Sequence, residues 1–200
     1  MRRQEEIRNI ILDVARNIIS REGIKGLSIR KITNAIDYSP GIIYHYFKDK
    51  NEIIESIVRE GYERILALIR SVKRNEKEPE KEIKEAFTNY IKAALASHEE
   101  YKAFMLNGDT SVLNTTGILK KGISKKSRTL QLLCDNIQRG INQGRYAPCD
   151  PELTAQIIWT STFGLIIKLI IEKDISQEQV NRLIDQHFNV LFNGIIRKGA

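Results

Sequence analysis

Ile7, Ile10, Ile11, Val14, Ala15, Ile18 and Ile19 recur at alternating steps of three and four residues. At 3.6 residues per turn this spacing puts all seven on one side of a helix, a stripe that must be buried against other elements. The stripe stops at Arg21-Glu22-Gly23-Ile24-Lys25-Gly26, where two glycines mark a tight connection. Ser28 is a good N-cap for a second helix carrying Ile29, Ile32 and Ile36. That helix is short, because Asp37-Tyr38-Ser39-Pro40-Gly41 is turn chemistry; Ser39 can cap the next helix and Pro40 suits its first position. A third short helix runs through Ile42, Ile43, Tyr44, His45 and Tyr46. Asp49 followed by Glu52 approximates a capping box, opening a long fourth helix with Ile53, Ile54, Ile57, Val58, Ile65, Leu66 and Ile69.

Lys73 to Glu82 is almost wholly polar and contains Pro79, which marks a boundary. Beyond it the pattern predicts helices near 80–97, 99–106, 117–144, 151–172 and 176–197. Breaks are expected at Asn107-Gly108-Asp109 and Ala147-Pro148-Cys149-Asp150-Pro151, and Ser176 caps the last helix. With four prolines and 42% hydrophobic residues in 200, the chain reads as an all-α fold of about nine helices. Its apolar content suffices for a core without disulfide or metal. Cys134 and Cys149 stand far apart and fit free thiols in a reducing cytoplasm. The charged start, Met1-Arg2-Arg3-Gln4-Glu5-Glu6, lacks an apolar leader. Ile157 to Ile171 is shorter than the ~20 residues of a membrane span. It also contains Thr160, Ser161, Thr162 and Lys168, so it reads as a buried helix and no membrane association is expected.

The net charge is +7 and is unevenly spread. Residues 1–50 carry ten Lys/Arg against six Asp/Glu, a net of +4, while the other 150 carry 22 against 19, a net of +3. A basic N-terminal quarter suggests an anionic partner there. A second basic cluster, Lys120, Lys121, Lys125, Lys126 and Arg128, reads as a solvated helix face. His98 and His187 have no partners at metal-ligand spacing. No Ser/His/Asp or Cys/His arrangement stands out, so neither an enzyme nor a cofactor is expected. Gly23-x-x-Gly26 lacks the Gly-Lys-Ser/Thr close of a phosphate loop.

Two short helices joined by a tight turn and braced by a longer one form a helix-turn-helix. A recognition helix enters a major groove about 12 Å wide, so its outward positions must be slim or polar and its back apolar. Ile43 and Phe47 suit the back; Ser39, Gly41, Ile42, Tyr44 and His45 are left to face outward. Tyr46 suits the core better than Tyr44 does. The run from Gly23 through Ile32, followed by Gly41-Ile42-Ile43-Tyr44-His45-Tyr46-Phe47-Lys48-Asp49-Lys50, resembles the signature of the TetR/AcrR family over roughly residues 5–60. The resemblance implies contacts to DNA from Ser28 and Arg30, a reading surface of Ser39, Gly41, Ile42, Tyr44 and His45, and a phosphate contact from Lys50. The family often has Gly where this chain has Asp37, a residue that tolerates the left-handed conformation. Pro40 stands where many relatives carry a polar or basic residue, which removes one possible DNA contact.

The resemblance further implies a helix-turn-helix domain over residues 1–50, a connecting fourth helix near 50–73, and an effector-binding and dimerisation domain over 51–200. It implies a homodimer on double-stranded DNA at a pseudo-palindromic operator, most simply a repressor released by a small molecule. An activator of the same family, or a helical adaptor binding another protein, is the alternative. Ile157, Ile158, Phe163, Leu165, Ile166, Ile167, Leu169, Ile170 and Ile171 cover more than one face of their helix, which calls for burial on both sides. With Leu183, His187 and Leu191 of the last helix, Ile157, Ile167 and Ile171 are the expected dimer contacts. Phe87, Tyr90, Phe104, Trp159 and Phe163, with Tyr101, are candidates for an effector pocket. Few charges fall among them, which favours a largely apolar effector.

Overall fold

A computed structural model describes residues 2–105, 117–172 and 174–197. The expected break at 107–109 and the side chain of Phe104 lie outside the described residues. The elements are α1 (Arg2–Gly26), α2 (Ile29–Ile36), α3 (Pro40–Tyr46), α4 (Lys50–Ser71), α5 (Pro79–Ala96), α6 (His98–Met105), a 3-10 turn (Ile123–Lys125), α7 (Arg128–Asn142), α8 (Pro151–Ile171) and α9 (Gln177–Asn193). No β-strand occurs among the described residues, and one isolated bridge pairs Tyr146 with Ile196. The chain divides into two compact units. Among the described residues the first holds 2–64, 97–105 and 117, and the second 65–96, 118–172 and 174–197.

Local chemistry explains most helix ends. α1 breaks at Gly23, whose φ of 73° is in the left-handed region that glycine enters without a side-chain penalty. Ser28 caps α2 by accepting a hydrogen bond from Lys31 N at 3.2 Å. Asp37 closes α2 in the left-handed conformation, φ 54° and ψ 42°. The expected box opens α4: Asp49 accepts from Glu52 N at 3.0 Å, and Glu52 reaches back to Lys48 N at 2.6 Å. Ser176 caps α9 as expected, accepting from Gln179 N at 3.2 Å. Ser39 does precede α3, with Pro40 at its first position, but its side chain makes no capping hydrogen bond.

The single helix expected over 117–144 does not form. Gly122 adopts φ 75°, a 3-10 turn follows, and Ser127 starts α7 by accepting from Leu130 N at 3.4 Å. Glu152 of α8 secures the turn by accepting from Gly122 N and Ser124 N, each at 2.8 Å. The bonds from Ser124 and Gly122 hold the Glu152 carboxyl below its ordinary pKa. The last helix also ends earlier than expected, because the chain leaves helical bonding at Gly194 to pair Tyr146 with Ile196.

In the first unit, Ile11, Leu12, Ala15 and Ile19 of α1 meet Ile32, Ile43, Phe47, Ile53, Ile54 and Ile57 in one buried cluster. The α1 stripe therefore builds the platform on which α2 and α3 sit, and α6 packs on α1 as well. Arg8 lies over the Phe47 ring, 5.2 Å from its centroid, and Arg16 pairs with Glu60.

In the second unit, α5, α7 and α8 pack together, with α9 against α5 and α8. Phe87 stacks edge-on to Trp159 at 5.3 Å and approaches Phe188 at 6.1 Å; Tyr90 lies 5.7 Å from Trp159. Close packing makes Gly140 obligatory: a Cβ there would lie 2.3 Å from the ring of fully buried Tyr146. Burial alone would raise the pKa of the Glu80 carboxyl. The hydrogen bonds and charge of Arg145 outweigh that and hold it below its ordinary value. Arg145 Nε donates to both Glu80 oxygens at 3.0 Å.

His187 and Thr162 tie α9 to α8, with Nε2 and Oγ1 3.0 Å apart. The Thr162 hydroxyl already donates its one hydrogen to the Ile158 carbonyl at 2.8 Å, so here it accepts and His187 carries its proton on Nε2. Burial lowers the imidazole pKa from its ordinary 6.5. The unfolded chain therefore takes up this proton more readily than the folded one. The contribution of His187 to stability is intact above pH 6.5 and declines as pH falls through that value. Thermal melts from pH 7.5 down to 5.5 (about the range where histidine titrates) should show wild type losing Tm relative to His187→Gln. Parallel pH curves for the two proteins would contradict the assignment.

Candidate nucleic-acid interface

The packing of α3 separates its two faces. Ile43 is fully buried and Phe47, just past its C-terminus, is 2% exposed, which pins the helix to α1, α2 and α4. Tyr44 is 59% exposed, and Ser39, Pro40, Gly41 and His45 are exposed beside it. Among the described residues no hydrogen bond or ion pair ties the Tyr44 side chain to the protein. His45 and Tyr46 meet edge to face, with ring centroids 5.2 Å apart. Gly41 has only Ser39 Oγ near its missing Cβ, at 3.8 Å, so this end of the helix stays slim. Arg30 on α2 is exposed and Lys50 half-buried.

One residue differs from the expected division of faces. Ile42, expected to point outward, is half-buried against the hydrophobic cluster, because the seven-residue helix leans on α2 and shields part of that side chain. Ser28 is half-buried and its hydroxyl is committed to the α2 cap. Sequence reading passed over Tyr38, in the α2–α3 turn and 47% exposed. An aromatic residue inside turn chemistry was the available signal. The surface can place a ring, an imidazole, a small hydroxyl residue and an arginine against a duplex. Such groups contact phosphates and base edges.

The second unit contains a small cavity of about 40 Å³. Ile83, Ala86 and Phe87 of α5, Leu133 of α7, Trp159 of α8 and Ile69 wall it, and Glu82, Thr129 and Asn136 supply polar groups. Of the aromatic candidates, the structure brings Phe87 and Trp159 to the cavity. Tyr90 packs on Trp159 as core, and Phe163 is half-buried and not on the lining. The polar liners carried no sequence signal, because their periodicity is that of any helix flank.

α8 is 21 residues long and, by length and composition alone, apolar enough to cross a membrane. One side, with Ala155, Ile158, Thr162 and Ile166, is buried within the unit. The opposite side bears an exposed row, Leu153, Ile157, Thr160, Gly164, Lys168 and Ile171, at helical spacing. The apolar pattern calls for burial on both sides, and within one chain only one side is covered. Leu183 and Val190 are exposed on α9. Of the expected contacts, Ile157, Ile171 and Leu183 lie on the surface, whereas Ile167, His187 and Leu191 are half-buried. Leu153 and Val190, 60% and 61% exposed, were missed, although both fall on the same helical repeat.

Residues 11–57, which span α1 to the first turns of α4, match the family model described as bacterial regulatory proteins of the tetR family. The chain is 24% identical to the HTH-type transcriptional regulator UidR of Escherichia coli (strain K12), over 86% of this chain and 85% of that protein. It is 32% identical over 69 residues to the HTH-type transcriptional repressor AcnR of Corynebacterium diphtheriae, a match covering 34% of each. In fold it is similar to the fatty acid degradation regulator FadR of Bacillus halodurans, with a TM-score of 0.69, 19% identity, and coverage of 94% of this chain and 95% of that one. The helix-turn-helix packing and the family match over it agree: residues 11–57 form a helix-turn-helix of the tetR type, and the chain is a DNA-binding transcriptional regulator.

Proposed function

We propose that this protein is a cytoplasmic homodimeric repressor that leaves its operator when a small molecule occupies the second unit. The observation carrying the DNA-reading half is the contrast across α3, Tyr44 largely exposed and Ile43 fully buried one residue away. In a twofold dimer, two such helices would enter successive major grooves of a pseudo-palindromic site about 34 Å apart. Ser39, Gly41, Tyr44 and His45, with the exposed edge of Ile42, would read the groove. Arg30, Lys50 and the backbone near Ser28 would hold phosphates. The bare apolar row on α8, with Leu183 and Val190 of α9, supports a partner subunit at that side. The apolar walls around Phe87 and Trp159 support an effector with a largely apolar body. Its binding would favour a conformation whose two recognition helices no longer match the operator spacing, a shift in populations set by differential affinity.

The test is a mobility-shift titration on an operator selected from genomic fragments, repeated across salt concentrations. Affinity should fall linearly on a log–log plot, by about 0.9 in slope for each phosphate contacted. Arg30→Ala and Lys50→Ala should each reduce that slope by about one. Salt-independent binding, or no retention of any duplex, would instead favour a protein-binding adaptor.

A further inference from the structure

Asn136 is 5% exposed and lines the cavity in the second unit. Its amide nitrogen donates to the Pro79 carbonyl at 3.1 Å. That carbonyl can only accept, so the amide is not reversible: turning it would set two oxygens against each other. Asn136 Oδ1 is therefore the side-chain atom left over, and it is buried with no hydrogen-bond partner among the described residues. Buried carbonyls are almost always partnered, so one left unmet beside a cavity calls for a donor.

The neighbouring groups narrow the chemistry. Glu82 also lines the cavity, but its carboxylate already accepts from Asn75 N at 3.1 Å and pairs with Arg139. The Thr129 hydroxyl lies 3.2 Å from Ser127 Oγ. Among the described residues none on the lining carries a positive charge, and the Arg139 guanidinium, which is not on the lining, is already paired with Glu82, so an incoming carboxylate would meet the Asn136 oxygen and the Glu82 carboxylate. Phe87 and Trp159 offer aromatic surface for an apolar body. A water molecule needs about 10–15 Å³ of such space, so 40 Å³ admits about three or four heavy atoms, a donor head with a methyl or two.

We propose that Asn136 sets the effector's chemical class: a neutral donor head, such as a primary amide or an alcohol, bound through N–H or O–H to Asn136 Oδ1, with its apolar remainder against Phe87 and Trp159 and with carboxylates rejected. This rests on the reading that the second unit binds a small molecule. A site built around a buried acceptor discriminates strongly against molecules of equal size that cannot donate.

Trp159 is the chain's single tryptophan, so selectively excited fluorescence of the full-length protein reports on the cavity wall. The probes are two matched pairs small enough for this space: 2-propanol against acetone, which lacks only the donor, and acetamide against acetate, which replaces the donor by charge. The alcohol and the amide should give saturable changes, with apparent Kd about tenfold or more below those of their partners. In Asn136→Leu, similar in shape but without the acceptor, 2-propanol and acetone should bind within about twofold of each other. Circular dichroism establishes that the variant is folded, and if it is not, the wild-type pairs decide alone.

Equal affinity within both pairs would overturn the role of Asn136 while leaving a small-molecule site in place. No saturable response to any probe would mean that the cavity holds water only, and would overturn the proposal. Neither result touches DNA binding, which the salt-dependent mobility shift measures separately.

Discussion

Tyr44→Ala is expected to weaken operator binding about 10- to 100-fold, the loss of one good groove contact at ~1–3 kcal/mol. Its melting temperature should stay at the wild-type value. The ring is 59% exposed and makes no hydrogen bond among the described residues, so truncating it removes little that holds the fold. The neighbouring residue should behave in the opposite way. Ile43 is fully buried between α3 and the α1–α4 cluster, and Ile43→Ala should cost about 2–5 kcal/mol of stability through lost burial and a residual cavity. Its effect on DNA would then follow from unfolding of the head and would diminish on cooling. Mobility shifts on operator and random duplex, paired with thermal melts, separate the two. Unchanged operator affinity in Tyr44→Ala would remove the recognition surface from α3.

Ile157→Asp should convert the protein to monomers and cost operator affinity by a factor of about 10²–10⁴. Ile157 is 63% exposed in the single chain, between Leu153 and Thr160 on the bare row of α8. In a twofold interface each substitution appears twice, so two unpaired carboxylates would be buried near the symmetry axis. Nothing lies within 4 Å of a Cβ built at Gly164, and with Thr160 it lets another helix approach closely in the middle of the row. Two linked heads bind two half-sites with the second contact made at high effective concentration, an advantage a monomer loses. Sedimentation and light scattering give the oligomeric state, and circular dichroism the fold. A variant that stays dimeric, or a wild type that is already monomeric at working concentration, would rule out this face.

Almost every helix start was readable from a few adjacent residues. Ser28, Asp49 with Glu52, and Ser176 each announce a cap, and in each case the hydrogen bond forms with a backbone N–H three residues on. Ile43 and Phe47 were assignable to the inner face from helical period alone. The family resemblance over residues 5–60 rests on the same local pattern, which the family model then matched over 11–57. Ile42 shows the limit. Period placed it outward, but in a seven-residue helix the lean of α3 against its neighbours, not the period, decides how much of a flank is covered. The predicted 117–144 helix failed for a related reason. Helical propensity through Lys120–Lys126 was overridden by Gly122 in its left-handed conformation and by a carboxylate arriving from residue 152.

By itself the sequence determined the helices, their order and most of their caps, and with them a helix-turn-helix with a slim outward edge. These depend on bonds three or four residues long and on a period that any window of the chain displays. The tertiary structure alone decided which side of α8 stays bare, that Glu152 braces a turn 30 residues away, and that Asn136, bonded to a carbonyl 57 positions earlier, keeps an unmet oxygen beside a cavity. Those outcomes depend on which distant helices meet, and an amphipathic stripe specifies that it will be covered without specifying by what.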